Sequence, residues 1–157
     1  MSERTSSRAG FRELLDHLVE HGGALTALLV TRQGSVVSEA GRTGYLNTTA
    51  MAALVAGMFS ATKEVARMVG ESQFSILLQQ GEKRHIHISL VSGDIMMVVI
   101  FEDYSRIGQV RHEARKAGEK LTALLAQPKE VRPEPEEATV TQFREYALNL
   151  IDRIFQT

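Results

Sequence analysis

Between Arg42 and Lys63 the chain carries no charged side chain. Most of that stretch falls in a helical segment, residues 46–71, which reads LNTTAMAALVAGMFSATKEVARMVGE. Asn47 is placed to cap it, because its side-chain oxygen can accept an orphan backbone N–H of the first turn. Leu46 and Met51 flank that cap at the spacing of a hydrophobic staple. Gly70 supplies a residue able to take the left-handed stop. At about 100° per residue, Met51, Leu54, Val55, Met58, Val65 and Val69 share one face. Ala53, Ala56, Gly57 and Ser60 lie opposite, continued by Glu64 and Arg67. A helix on the surface of a domain is apolar on one stripe, and one that is apolar or small all round is covered on both sides. The expectation is that the apolar stripe rests on the core and the small-residue face meets another chain.

Around this helix, 157 residues leave room for one domain and a modest extension. A net charge of −1 gives no case for attraction to nucleic acid or to a membrane surface. The absence of cysteine excludes disulfides and thiolate chemistry and fits a reducing, cytoplasmic setting. No run approaches the ~18 apolar residues of a membrane span. Residues 1–8 read as a short disordered lead, without the apolar segment of a secretory signal.

Phe11, Leu14, Leu15, Leu18 and Val19 recur at helical spacing, and Gly22–Gly23 ends that helix. An apolar run over 24–31, a turn at 32–35 and a return strand at 36–40 form a hairpin. After the central helix come three strand-like runs, 74–80, 85–91 and 95–101. In the second, Ile86, Ile88 and Leu90 alternate with His85, His87 and Ser89, which read as a half-exposed face. The third is apolar on both faces, as expected of a central strand. Ser105 then caps a helix buried through Val110, Ala114, Ala117, Leu121 and Leu124. This order predicts an α+β domain over residues 9–126, a single antiparallel sheet with helices on its faces. Residues 127–138 hold every proline and read as an extended linker. Residues 139–156 follow as an amphipathic helix with the stripe Val140, Phe143, Ala147, Leu150, Ile151 and Ile154.

Chemistry-bearing motifs are scarce. His85 and His87 share a strand face, but zinc needs three or four ligands and no third is at hand, so no metal is expected. The glycines form neither GxGxxG nor GxxxxGK[ST], and there is no GxSxG, so no cofactor and no active site are expected. Arg106, Arg111, Arg115, Lys116 and Lys120 are scattered with Glu113 and Glu119 among them, as on a solvated helix face. Two candidates remain: the small-residue face of the central helix, and the tethered C-terminal helix as an arm that grips a partner.

TRQGSVVSEAG, NTTAMAALVAGMFSATKEVARMVGE and MMVVIFEDYSRIGQVRHEARKA resemble the roadblock/dynein light-chain family, and within it the bacterial MglB-type polarity proteins. Gly34, Val37 and Ser38 match the family's hairpin, where Thr31 replaces its Asp. Asn47, Thr48, Thr49, Leu54, Ala56 and Gly57 match its central helix. Ser105, Ile107, Gly108, Val110 and Arg111 match the segment after its last strand. The resemblance implies a roadblock/longin-like five-stranded sheet of order 2-1-5-4-3, with the central helix on one face and the terminal helices on the other. It implies a homodimer joined through the central helices and the strand carrying Phe74, Ile76 and Leu78. Its implied partner is a Ras-like small GTPase of the MglA type, whose GTP hydrolysis such dimers accelerate without an arginine finger, in cell polarity or gliding motility, at a cell pole. Ala53, Ala56, Gly57, Ser60, Glu64 and Arg67 are then the GTPase-facing residues. Phe143, Leu150 and Ile154 would make a second contact, linked to nucleotide exchange. The alternative is a non-catalytic dimeric scaffold that only tethers partners.

Overall fold

The computed structural model describes residues 2–73 and 75–126. Among them the α-helices and strands follow in order: α1 (Ser2–Gly22), β1 (Thr26–Thr31), β2 (Val36–Gly41), α2 (Thr48–Met68), β3 (Ile76–Gln80), β4 (His85–Ser92), β5 (Ile95–Phe101) and α3 (Ile107–Ala126). The strands form one antiparallel sheet of order β2-β1-β5-β4-β3. This is the implied order; among the described residues α2 covers one face and α1 and α3 the other. No helix among the described residues is long and apolar enough to cross a membrane.

β5 is buried at all seven positions because it lies mid-sheet with helices above and below. Its alternation feeds two cores. Met97, Val99 and Phe101 pack with Leu15 and Leu18 of α1 and with Val110, Ala114, Ala117 and Leu121 of α3. Met96, Val98 and Ile100 pack with Ala52, Val55, Ala56 and Phe59 of α2. The β1–β2 turn closes through Thr31 N–H donating to the Ser35 carbonyl (2.9 Å) and Gly34 N–H to the Thr31 carbonyl (2.9 Å). Gly34 has φ +95°, and a Cβ there would stand 3.0 Å from the Ala53 Cα. Only glycine lets this turn lie so closely against the start of α2.

Three expectations are corrected. Residues 2–8, read as a disordered lead, belong to α1. No proline or glycine interrupts them before Gly10, so the helix nucleated by the 11–19 stripe propagates backwards. Ser105 is not the cap. The Asp103 carboxylate accepts from the Ser105 N–H (3.0 Å) and hydroxyl (2.7 Å), and caps a 3-10 turn, Tyr104–Arg106, that leads into α3. His85 and His87 are buried rather than half-exposed, because α1 and α3 cover their face of the sheet. His85 is satisfied: its Nδ1 accepts from the Gly81 N–H (3.2 Å), and its ring meets Phe101 and Tyr104.

His87 is 2% exposed, and neither ring nitrogen has a hydrogen-bond partner among the described residues. Burial, reinforced by the nearby Arg111 guanidinium, holds its pKa below the ordinary 6.5. The unfolded chain therefore binds this proton more readily. The contribution of neutral His87 to stability is full above pH 6.5 and is lost as the pH falls through the folded-state value. Urea denaturation between about pH 7.5 and about pH 5 is expected to show a falling midpoint. In His87→Leu that fall is shallower, and the variant is more stable at neutral pH by about 1 kcal/mol, the cost of the orphaned nitrogens being removed.

Candidate functional site: the outer face of helix α2

The ends of α2 are fixed as the sequence indicates. Asn47 Oδ1 accepts from the Ala50 N–H at 3.0 Å. At the other end Gly70, with φ +89°, donates its N–H to the Arg67 carbonyl (3.0 Å), and Glu71 N–H reaches the Ala66 carbonyl (2.9 Å). That pair of bonds is a Schellman stop.

The rotation of the helix about its axis differs from expectation. Ala52, Val55, Ala56 and Phe59 face the sheet. Leu54 (72% exposed), Val65 (58%), Met68 (85%) and, just past the helix end, Val69 (75%) face outward. The apolar stripe read as core-facing is thus split: Val55 is buried and Met51 and Met58 pack partly buried against the core, whereas Leu54, Val65 and Val69 face outward. None of residues 60–68 is buried, so the last two and a half turns project past the core.

The candidate residues divide accordingly. Ala53, Gly57, Ser60, Glu64 and Arg67 are exposed on α2. Ala56 is 7% exposed and belongs to the core, so it is removed from any docking face. Arg67 is held by Glu64 at 3.3 Å, an exposed pair three residues apart. Ile76 is exposed and Leu78 half-buried on β3, and both lie on the α1–α3 side of the sheet. Among the described residues β3 pairs only with β4 and so leaves one edge unpaired. Phe74, Phe143, Leu150 and Ile154 lie outside the described residues. Among the described residues no group of three or more His, Asp or Glu side chains gathers as a metal site. Sequence reasoning missed Ala61 and Met68, which complete the outer stripe with Leu54 and Val65. Their spacing of 54, 61, 65 and 68 carried the signal.

The overall shape of this five-stranded sheet and its helices is shared with known proteins. The sequence model of the Roadblock/LC7 domain matches residues 10–101. The chain belongs to that family. No curated protein matches it by sequence. Among solved structures it is similar to Myxococcus xanthus MglB, with 30% identity over 73% of this chain and 86% of that one and a TM-score of 0.70. It is similar to the gliding protein MglB of Thermus thermophilus, with 26% identity over 75% of this chain and 90% of that one and a TM-score of 0.70. A Roadblock/LC7 domain from Streptomyces avermitilis, 18% identical over 73% and 96% with a TM-score of 0.63, shares the fold.

In this Roadblock domain Ala56 and Ser60 are one turn apart with opposite surroundings. Ala56→Arg is expected to cost roughly 3 kcal/mol or more, because it drives a guanidinium against the sheet. Ser60→Arg is expected to stay within about 0.5 kcal/mol of the parent. Thermal melts followed by circular dichroism separate the two.

Proposed function

We propose that this protein is a homodimeric regulator of a Ras-like small GTPase of the MglA type, acting in the cytoplasm as an activator of GTP hydrolysis. The observation that carries the reading is the exposed stripe Leu54, Val65, Met68 and Val69 on α2. Burying each such side chain is worth about 1.5–3 kcal/mol, a driving force a lone subunit leaves unused. In the proposed dimer the two α2 helices cover this stripe for each other. The free edge of β3, an invitation to unwanted pairing, meets its copy at the same time.

The flank formed by Ala53, Gly57, Ser60, Glu64 and Arg67 is left for the GTPase. It presents small side chains, and its two charges already neutralise each other. A partner segment can lie close against it with little charge to desolvate. A Cβ built on Gly57 meets nothing within 4 Å, so the space above the helix is open. Arg67 is engaged by Glu64 and is not poised as an arginine finger. Activation then works through selection of the GTPase conformation whose own groups align the water and stabilise the transferring phosphoryl group. Phe143, Leu150 and Ile154 supply the second contact in this proposal. The structural likeness to MglB of Myxococcus xanthus and Thermus thermophilus supports this family of roles.

The test begins with capture of a Ras-like partner by the full chain, with and without GTP. Leu54→Asp with Val65→Asp is expected to convert a dimer into monomers in sedimentation velocity. Gly57→Arg and Ser60→Arg are expected to leave the dimer intact and to lower stimulated phosphate release by about 100-fold, the scale of losing an interaction made chiefly in the transition state. Unchanged phosphate release with binding retained would make the protein a tether rather than an activator.

A further inference from the structure

α1 lies over β1 and β2, and α3 over β4 and β5, so among the described residues the β3 margin of that face has no helix above it. A cleft of about 730 Å³ opens there, between α3 and the strands β3 and β4. That is the size of a small-molecule site. Ile76, His87, Ser89 and Val91 supply its floor, an apolar surface interrupted by one hydroxyl and one imidazole.

The wall is a single stripe of α3. Gly108, Arg111, Arg115, Gly118 and Thr122 recur three or four residues apart, and so lie along one side of the helix. Arg111 and Arg115 are exposed, and among the described residues neither makes an ion pair or a hydrogen bond. Each guanidinium therefore keeps its full fork of donors, the geometry that takes two oxygens of a carboxylate or a phosphate. At one end the Thr122 hydroxyl donates to the Val91 carbonyl (3.2 Å) and ties helix to strand. Gly118 stands inside α3, where glycine weakens a helix. A Cβ there would meet nothing within 4 Å, so no close packing calls for glycine. What the missing side chain leaves is room above the floor.

His87 adds an unmet need. It is buried in the floor, and both ring nitrogens lack a hydrogen-bond partner among the described residues. A buried polar group without a partner is costly. The nearby Arg111 charge also opposes protonation of the ring. An anion seated on the arginines removes that opposition.

Charge decides which anion fits. A carboxylate leaves one guanidinium uncompensated. A phosphomonoester carries close to two negative charges at neutral pH and three acceptor oxygens. Glu119, further along the same wall and without an ion-pair partner among the described residues, repels a second anionic group. The rest of the ligand is therefore uncharged, as the apolar floor also requires.

We propose that the cleft between α3 and the β3–β4 margin binds a small organic phosphomonoester, with its phosphate on Arg111 and Arg115 beside His87 and its uncharged body on Ile76 and Val91. This holds independently of whether the partner is a GTPase.

Phenyl phosphate is the probe, titrated into the full chain with isotope-labelled histidine rings observed by NMR. His87 and His112 line the cleft, whereas His17 and His21 stack on each other on α1. Saturable shifts are expected at His87 and His112, with His17 and His21 unmoved, and His87→Gln assigns the buried ring. Inorganic phosphate is expected to bind the same site at least about fivefold more weakly, because it lacks the apolar body. Changing Arg111 and Arg115 to Gln is expected to lower affinity at least about tenfold. Glu119→Gln is expected to raise it about threefold. These three side chains are exposed, so the variants keep the fold. Gly118→Leu fills the space and leaves every charge in place, and it is expected to lower affinity at least about tenfold. Shifts that fail to saturate, equal movement of His17 and His21, equal affinity for the two phosphates, or indifference to Gly118→Leu or to loss of the arginines would each overturn the proposal. None of these readouts involves GTP hydrolysis, so this inference and the GTPase reading fail separately.

Discussion

The central strand has no side that tolerates water, and the rest of the molecule follows from covering it. β5 is apolar and buried throughout, so both faces of the sheet need helices. Five strands spaced about 4.8 Å apart span about 19 Å. One helix is only about 10 Å wide with its side chains. On the face that α2 covers, the helix lies nearest β1 and β2, and Leu77, Ile86 and Leu90 of the strands farther out are only partly buried among the described residues. The opposite face has two helices, yet both pack toward β2, β1, β5 and β4, and the β3 margin stays open. The charged cleft thus has a geometric origin: among the described residues the five-stranded sheet is wider than the two helices that cover this face.

The location and ends of α2 were legible from sequence, because Asn47, Gly70 and the uncharged run each carry a local physical signal. Its rotation was not. The first four turns are apolar or small all round, so hydrophobicity alone does not say which side is down. Close approach to the sheet decided it. Ala52 and Ala56 let the backbone settle onto Leu28, Val98 and Ile100, while Phe59 fills the end of that interface. The larger Leu54, Val65 and Met68 were displaced outward. A reading that ranks faces by bulk puts the largest side chains in the core. Here small residues won, because a helix packs on a pleated surface through shape as well as area.

Strands and hairpins were legible from alternation and turn residues, whereas strand order came only through the family resemblance. Alternation in β4 correctly separated its two faces but not their burial, since a polar residue on a strand is as compatible with a covered face as with an open one. His85 resolves this with a bond from the Gly81 amide and two aromatic neighbours. His87 does not resolve it among the described residues. The scattered basic residues of α3 were read as solvated, and they are exposed. What sequence spacing could not convey is that Arg111 and Arg115 overhang a cleft, because that depends on where the sheet ends relative to the helix.

The two faces of this Roadblock domain differ in what kind of neighbour each can accept. Around α2 the outer surface is uncharged for most of its length, and the one ion pair on it is already closed at 3.3 Å. Covering such a surface removes apolar area from water at little electrostatic cost, so shape selects the partner. On the α3 face Arg111, Arg115 and Glu119 are exposed charges without ion-pair partners among the described residues, and covering them is favourable only when opposite charges arrive to meet them. A surface of the first kind suits lasting association between copies of one chain. A surface of the second kind suits a contact whose strength varies with salt and with competing anions. Placing the two on opposite sides of one rigid sheet lets a contact of each kind form without either displacing the other.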